Sequence, residues 1–163
     1  MIDKKTLLVT GSNGFVGKNL LPMFSEDARG FDNIVTVGGK AQADLTDPKS
    51  SEELFKGGDV HTVLNLCGRV GGLPDNVKHP GQFFYQNTIT AINQIESFRK
   101  YSAGLNGNFI QLGTICSYPK NASTPYKECD LLNGEPEPTN AAYAYSKRAQ
   151  LNMLEAYRKE YGI

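Results

Sequence analysis

Thr6-Leu7-Leu8-Val9-Thr10-Gly11-Ser12-Asn13-Gly14-Phe15-Val16-Gly17 joins an apolar run to three glycines spaced three apart and then to the start of an amphipathic segment. Residues 6–10 read as a buried strand and 14–24 as a helix with Leu20 and Phe24 on one face, so the glycines form the turn between them. Further short, nearly unbroken apolar runs at 34–37, 62–66 and 108–112 read as strands buried on both faces. Between them, 48–55 carries a proline suited to a first helical turn and 81–101 is long enough for several turns. Strand alternating with helix predicts a doubly wound parallel α/β sheet. A short extra strand is expected just before Asp44. Pro22 predicts that the first helix is kinked or short, because an interior proline removes a hydrogen bond and clashes with the preceding turn.

The chain has 163 residues, 39% apolar and 21% charged, which suits one domain built on one core. Seventeen basic residues balance seventeen acidic ones, so no global positive field attracts nucleic acid or an anionic membrane. Any phosphate must be held locally. The polar start, residues 1–5, runs straight into the first strand without a signal-peptide core, and no apolar stretch is long enough to span a bilayer. A soluble cytoplasmic protein is expected. Cys67, Cys116 and Cys129 are odd in number and far apart, which predicts reduced thiols. His61 and His79 are isolated and read as surface or loop histidines, and no metal site is readable.

The glycine turn has the context that a dinucleotide fingerprint requires. Gly11 permits the tight turn, Gly14 lets backbone approach a pyrophosphate, and Gly17 lets helix and strand pack closely. Amides at the helix start, around Asn13, Phe15 and Val16, then face the anion. After the second strand, Val37-Gly38-Gly39-Lys40 lacks the acidic residue that usually meets the ribose hydroxyls of NAD. Lys40 is either a contact for the extra phosphate of NADP or an exposed loop lysine. Asp44, beside Leu45, either accepts from the adenine amino group or caps the helix that begins at Pro48.

From 113 to 139 the chain is rich in Pro, Ser, Thr, Asn and Gly, and is too long for a simple connector. Pro138, Thr139 and Asn140 then supply a cap for a helix over 141–161. On that helix Tyr143 and Lys147 share a face, which is common on solvated helices. The same pair can move a proton if the lysine lowers the phenol from its ordinary value. Thr114, at the end of the fourth strand, can reach the same carbonyl oxygen or simply cap its loop. Cys116 reads as a small buried filler or as a thiolate base for carbon beside a ketone.

Together, Gly11, Gly14, Gly17, the Asp44 turn, Thr114, Tyr143 and Lys147 resemble the extended short-chain dehydrogenase/reductase family. Four rarer segments, 69–73, 83–87, 116–120 and 137–140, narrow the likeness to the GDP-L-fucose synthases and extend it over the whole chain. The resemblance implies a Rossmann-like, NAD(P)-binding fold, with NADP(H) favoured over NAD(H). It also implies a nucleotide-sugar substrate, GDP-4-keto-6-deoxy-D-mannose, epimerised at C3 and C5 and reduced at C4. By similarity Cys116 is the epimerisation base, Tyr143 the proton donor, Lys147 its partner and a ribose contact, and Thr114 the hydroxyl that polarises the carbonyl. Leu66, Cys67, Gly68 and Asn87 become cofactor-proximal. This overturns the filler reading of Cys116.

The chain departs from the family at Asn65-Leu66-Cys67-Gly68, where histidine and two alanines are usual, and at Thr114, where serine is common. Ile115 and Ser117 also exchange polar and apolar character around Cys116. The resemblance further predicts that 1–163 is the NAD(P)-binding domain alone. The substrate-binding C-terminal domain would be absent or separately encoded, with a homodimer formed through the long helices 81–101 and 141–161. Two alternatives remain: another NDP-sugar epimerase, dehydratase or reductase, and a non-catalytic NAD(P)-binding module.

Overall fold

The computed structural model describes residues 5–25, 30–57 and 59–163. Residues 1–4 of the polar start lie outside the described residues. Strands β1 (Thr6–Thr10), β2 (Asn33–Val37), β3 (Val60–Asn65) and β4 (Asn108–Gln111) form a parallel sheet in the order β2-β1-β3-β4. Helices α1 (Phe15–Ser25), α2 (Pro48–Glu53), α3 (Leu73–Lys78), α4 (Pro80–Ser102) and α5 (Ala141–Tyr161) connect and cover it. The doubly wound α/β expectation therefore holds. Because β2 and β3 flank β1 on opposite sides, the strand order reverses between β1 and β3. The crevice beyond their carboxyl ends is where such sheets bind ligands.

All five residues of β1 are buried, and most of β3 is. The reading of every strand as buried on both faces fails for β2 and β4, which lie at the sheet edges and are largely exposed or half-buried. Leu8, Val63, Phe55 and Phe98 are essentially fully buried in one cluster with Val37, Ala43, Leu45 and Val60. Burying each such large side chain contributes about 1.5–3 kcal/mol. The cluster ties α2 and α4 to the sheet and fixes the loop before α2.

Three local expectations are corrected. Residues 39–47 contain turns and no strand: Gln42 N and Ala43 N both bond to Gly39 O, at 2.9 and 3.2 Å, and Asp44 then folds an Asx turn in which its Oδ1 accepts from Thr46 N at 3.0 Å and Thr46 Oγ1 at 2.6 Å. Helix α1 runs on to Ser25 with Pro22 inside it, so of the two expectations for it, kinked or short, the second fails. His61 stands within β3, half-buried, rather than in a loop, and its Nδ1 lies 3.1 Å from Thr62 Oγ1. The sequence reading also missed α3, although Pro74 near its start and Asp75 in its first turn are ordinary helix-opening signals.

The segment after β4 is built from turns. Single 3-10 turns occupy Ile115–Ser117, Glu128–Asp130 and Pro138–Asn140. Arg148 of α5 pins it twice, with Nε donating to Ser117 O and an Nη donating to Gly134 O, each at 2.8 Å. Tyr118 stacks on Tyr126 with ring centroids 4.7 Å apart, and Lys120 pairs with Glu137 at 3.4 Å.

Candidate active site

The glycine turn sits in the crevice between β1 and β3. Gly11 has φ +75°, and a Cβ there would lie 2.7 Å from Leu66 C and 2.8 Å from Cys67 N. Only glycine satisfies both the left-handed backbone and this approach to the end of β3. Gly17 is equally constrained, but its neighbour is the turn itself: a Cβ would meet Ser12 O at 2.5 Å. Gly38 makes a contribution the sequence reading missed. A Cβ on it would overlap the Asn13 side chain at 2.2 Å, so its absence lets Asn13 lie over the end of β2.

Lys18 N bonds to Gly14 O at 3.0 Å, so the amides of Phe15, Val16 and Gly17 precede that helical hydrogen bond. Asn13, Gly14, Phe15 and Val16 are exposed around this helix end, with Phe15 85% accessible. That end carries partial positive charge and has space before it, as an anionic bridge requires.

A cleft of about 340 Å³ continues from the turn, lined among others by Lys40, Asp44, Leu45, Cys67, Gly68 and Arg69. Two hydrogen bonds from Thr46 hold the Asp44 carboxyl below its usual range, with a smaller contribution from Lys40. Lys40 Nζ reaches Asp44 Oδ2 at 3.3 Å and stays largely exposed. Capping of α2 falls to Asp47, which accepts from Lys49 N at 3.2 Å, so capping is not the task of Asp44. Beneath the cleft, Asn65 is buried in a polar cluster. Its Oδ1 lies 2.9 Å from Thr10 Oγ1 and accepts from Cys67 N at 2.9 Å, while its Nδ2 donates to Gln111 Oε1 at 2.8 Å. Burial pushes the Cys67 thiol up.

Gly68 links this cleft to α4 and α5. A Cβ there would lie 2.9 Å from Asn87 Oδ1 and 3.9 Å from Lys147 Nζ. Asn87 Nδ2 donates to Phe83 O at 2.8 Å and Arg69 O at 3.1 Å, but its buried Oδ1 has no partner. An orphan acceptor beside a buried ammonium fits a site for a polar ligand.

Tyr143, Thr114 and Cys116 form the next layer. Thr114 Oγ1 accepts from Cys116 N at 3.2 Å, and the Thr114 hydroxyl faces the Tyr143 phenol. Phe83 meets the Tyr143 ring edge-on at 6.2 Å, and Arg69 lies over Phe83 at 4.8 Å. Burial raises the phenol above its ordinary value, opposed by the nearby Thr114 hydroxyl. The expected lowering by Lys147 does not occur. That lysine is buried, donates from Nζ to Leu112 O at 3.1 Å, and is pushed down to about 8 by desolvation. A phenol that keeps its proton is suited to give it to a developing alkoxide.

Of the candidate residues, Lys40, Asp44, Leu45, Cys67 and Gly68 line the cleft, Leu66 packs against Gly11 of the fingerprint turn, Asn87 and Lys147 meet Gly68, and Thr114, Cys116 and Tyr143 stand together in the next layer. Arg69, Gln86 and Thr90 also line the cleft, and Asn140 meets Cys116; the sequence reading gave none of the four a role in the site. Among the described residues no group of His, Cys, Asp or Glu is arranged for a metal. The three cysteines are free.

Residues 7–163 match the NAD dependent epimerase/dehydratase family. The chain belongs to that family. It is 37% identical to the GDP-L-fucose synthase of Sinorhizobium fredii over 99% of its own length and 49% of that relative's. It is 34% identical to GDP-L-fucose synthase 1 of Arabidopsis thaliana, with the same two coverages of 99% and 49%. The chain therefore spans about half the length of these curated relatives. Among solved structures, a GDP-mannoheptose C4 reductase from Campylobacter jejuni with NADP bound superposes with a TM-score of 0.86 at 25% identity, covering 99% of this chain and 46% of that one. The family match agrees with the enzyme resemblance drawn from the sequence. Among the described residues no helix is long and apolar enough to cross a membrane.

Proposed function

We propose that this chain forms the NADP(H)-binding and proton-handling part of a GDP-sugar epimerase/reductase that makes GDP-L-fucose from GDP-4-keto-6-deoxy-D-mannose. The observation that carries the reading is the convergence of Thr114, Cys116 and Tyr143, with Lys147 joining them to the glycine-lined crevice at Gly68. A nicotinamide cofactor, when bound, supplies the hydride for the C4 ketone. The α1 amides would hold its pyrophosphate, Asp44 and Leu45 its adenine end, Lys40 its extra phosphate, and Lys147 with Asn87 its ribose.

The remaining chemistry belongs to side chains. Cys116 takes a proton from carbon beside the ketone, and the C–H electron pair moves into an enolate. Thr114 and Tyr143 donate hydrogen bonds to the ketone oxygen, stabilising charge that develops there. In the reduction Tyr143 passes its proton to that oxygen. A cytoplasmic location and a homodimer through α4 and α5 go with this reading.

Fluorescence titration with NADPH and NADH tests binding; no affinity for either would sink the proposal. Product analysis with GDP-4-keto-6-deoxy-D-mannose separates it from another NDP-sugar activity.

A further inference from the structure

Helix α5 begins with an asparagine that does not do an asparagine's usual work there. Asn140 occupies the N-cap position, yet its side chain makes no capping hydrogen bond. Asn is favoured at that position because its side-chain oxygen accepts from an amide of the first turn. Here the carboxamide has turned away. Its Nδ2 donates to Cys116 Sγ at 3.4 Å, and its Oδ1 is buried without a partner. Both the missing cap and the orphan acceptor forgo stability, so the conformation calls for an explanation beyond the helix end.

We infer that Asn140 is a positioning residue for Cys116: its N–H bond holds the sulfur at the turn after β4 and places a donor against it. The inference rests on the reading of Cys116 as a base. Thr114 meets the Cys116 backbone instead, its hydroxyl oxygen accepting from the Cys116 amide. The titratable group that faces Cys116 is the Tyr143 phenol, from α5. A neutral amide donor holds the sulfur without bringing a competing charge. It also suits the other half of the cycle. After the thiolate has taken the C–H proton and the bond's electron pair has entered the enolate, the carboxamide can turn about its last torsion so that Oδ1 accepts the S–H. Solvent returns a proton to carbon, and the thiol releases its own proton to solvent, which restores the base.

The experiment is alkylation by iodoacetamide across about pH 6 to 9.5, followed at each cysteine by mass spectrometry, for the intact chain, Asn140→Asp and Asn140→Leu. Asp keeps the shape and loses the donor, and Leu loses both polar atoms. Both variants should alkylate Cys116 about tenfold more slowly near neutral pH, with the profile displaced to alkaline pH, while Cys67 and Cys129 keep their profiles. Superimposable Cys116 profiles would overturn the inference. So would parallel changes at all three thiols, the mark of a loosened fold. Alkylation requires neither cofactor nor sugar, so its failure is distinguishable from failure of the NADPH titration.

Discussion

Lys147 Nζ donates to the carbonyl oxygen of Leu112 at 3.1 Å, bridging α5 to the residue just beyond β4. One bond thereby positions an ammonium beside Gly68 and orients the face of α5 that carries Tyr143. The ammonium is desolvated, and among the described residues the Cys67 thiol acts on it electrostatically.

That burial makes a pH-dependent prediction. Lys147 falls from 10.5 to about 8, so between these values the unfolded chain binds more protons than the native one. Stability attributable to this group therefore rises with pH across the window, and the penalty is complete below it. Lys147→Met should be more stable than the parent at pH 7, by about 1–3 kcal/mol, with the difference vanishing as pH approaches about 10.5. Urea melts of both proteins at several pH values measure it. A Met variant less stable at pH 7 would show that the Leu112 bond outweighs desolvation.

The Tyr143 phenol is raised by burial, so it ionises later in the folded chain than in the unfolded one. The stability this group gives is present at alkaline pH only while the phenol keeps its proton, and is lost as pH climbs through the folded value. Tyr143→Phe should leave NADPH affinity within about twofold and reduce any ketone reduction by about 100-fold or more. Single-turnover assays beside the titration separate the two effects. Equal loss of binding and turnover would assign the phenol to the cofactor instead.

Gly11→Ala introduces a Cβ 2.7 Å from Leu66 C at φ +75°, with backbone on the other side of the contact. Strain of the left-handed backbone and the clash together should destabilise by about 2 kcal/mol or more. Gly39→Ala is the control, because nothing lies within 4 Å of its added methyl. It should change stability by less than about 0.5 kcal/mol. Paired thermal melts decide whether close approach, rather than glycine content, fixes the turn.

Much of this was legible because local chemistry and tertiary packing agree. The β1 run, the turn glycines and the strand-helix alternation each carry a pattern that one backbone conformation explains. The failures have a common cause. The strand expected before Asp44 gave way to a turn in which Gln42 N and Ala43 N bond to Gly39 O, a local closure that an extended segment could not make. Tyr143 and Lys147 were put on one face, yet their spacing does not reveal that the ammonium turns to Leu112 while the phenol faces Thr114. The contact of Asn140 with Cys116 was unreadable, since its partner lies 24 residues earlier in the chain.

Arg148 joins Ser117 O and Gly134 O, which stand 17 residues apart in the long segment, and its guanidinium also lies 5.6 Å from the Tyr145 ring. A lysine keeps the charge but cannot donate in both directions from a planar fork. Arg148→Lys should therefore speed amide exchange over 117–136 while leaving β1 and β3 protected, at a cost of about 1–2 kcal/mol. Uniform acceleration across the sheet would instead make Arg148 a general stabiliser.

In the proposed reading a preference for NADP(H) would turn on Lys40. It is 70% exposed and its Asp44 partner 41%, so the 3.3 Å pair is well screened and leaves the ammonium free to reorient. Removing it as Lys40→Ser should weaken NADPH binding by about tenfold and NADH binding by less than about twofold, because only the former carries the extra phosphate. The salt dependence of NADPH binding should fall in the same variant, since the lost contact is an exposed ionic one. Asp44, held ionised by Thr46, acts in the opposite sense: its charge repels a phosphate, so Asp44→Asn should tighten NADPH relative to NADH while loosening the turn. If both ratios stay at the parental value, the lysine is a solvated loop residue and the preference must arise from the α1 end of the cleft.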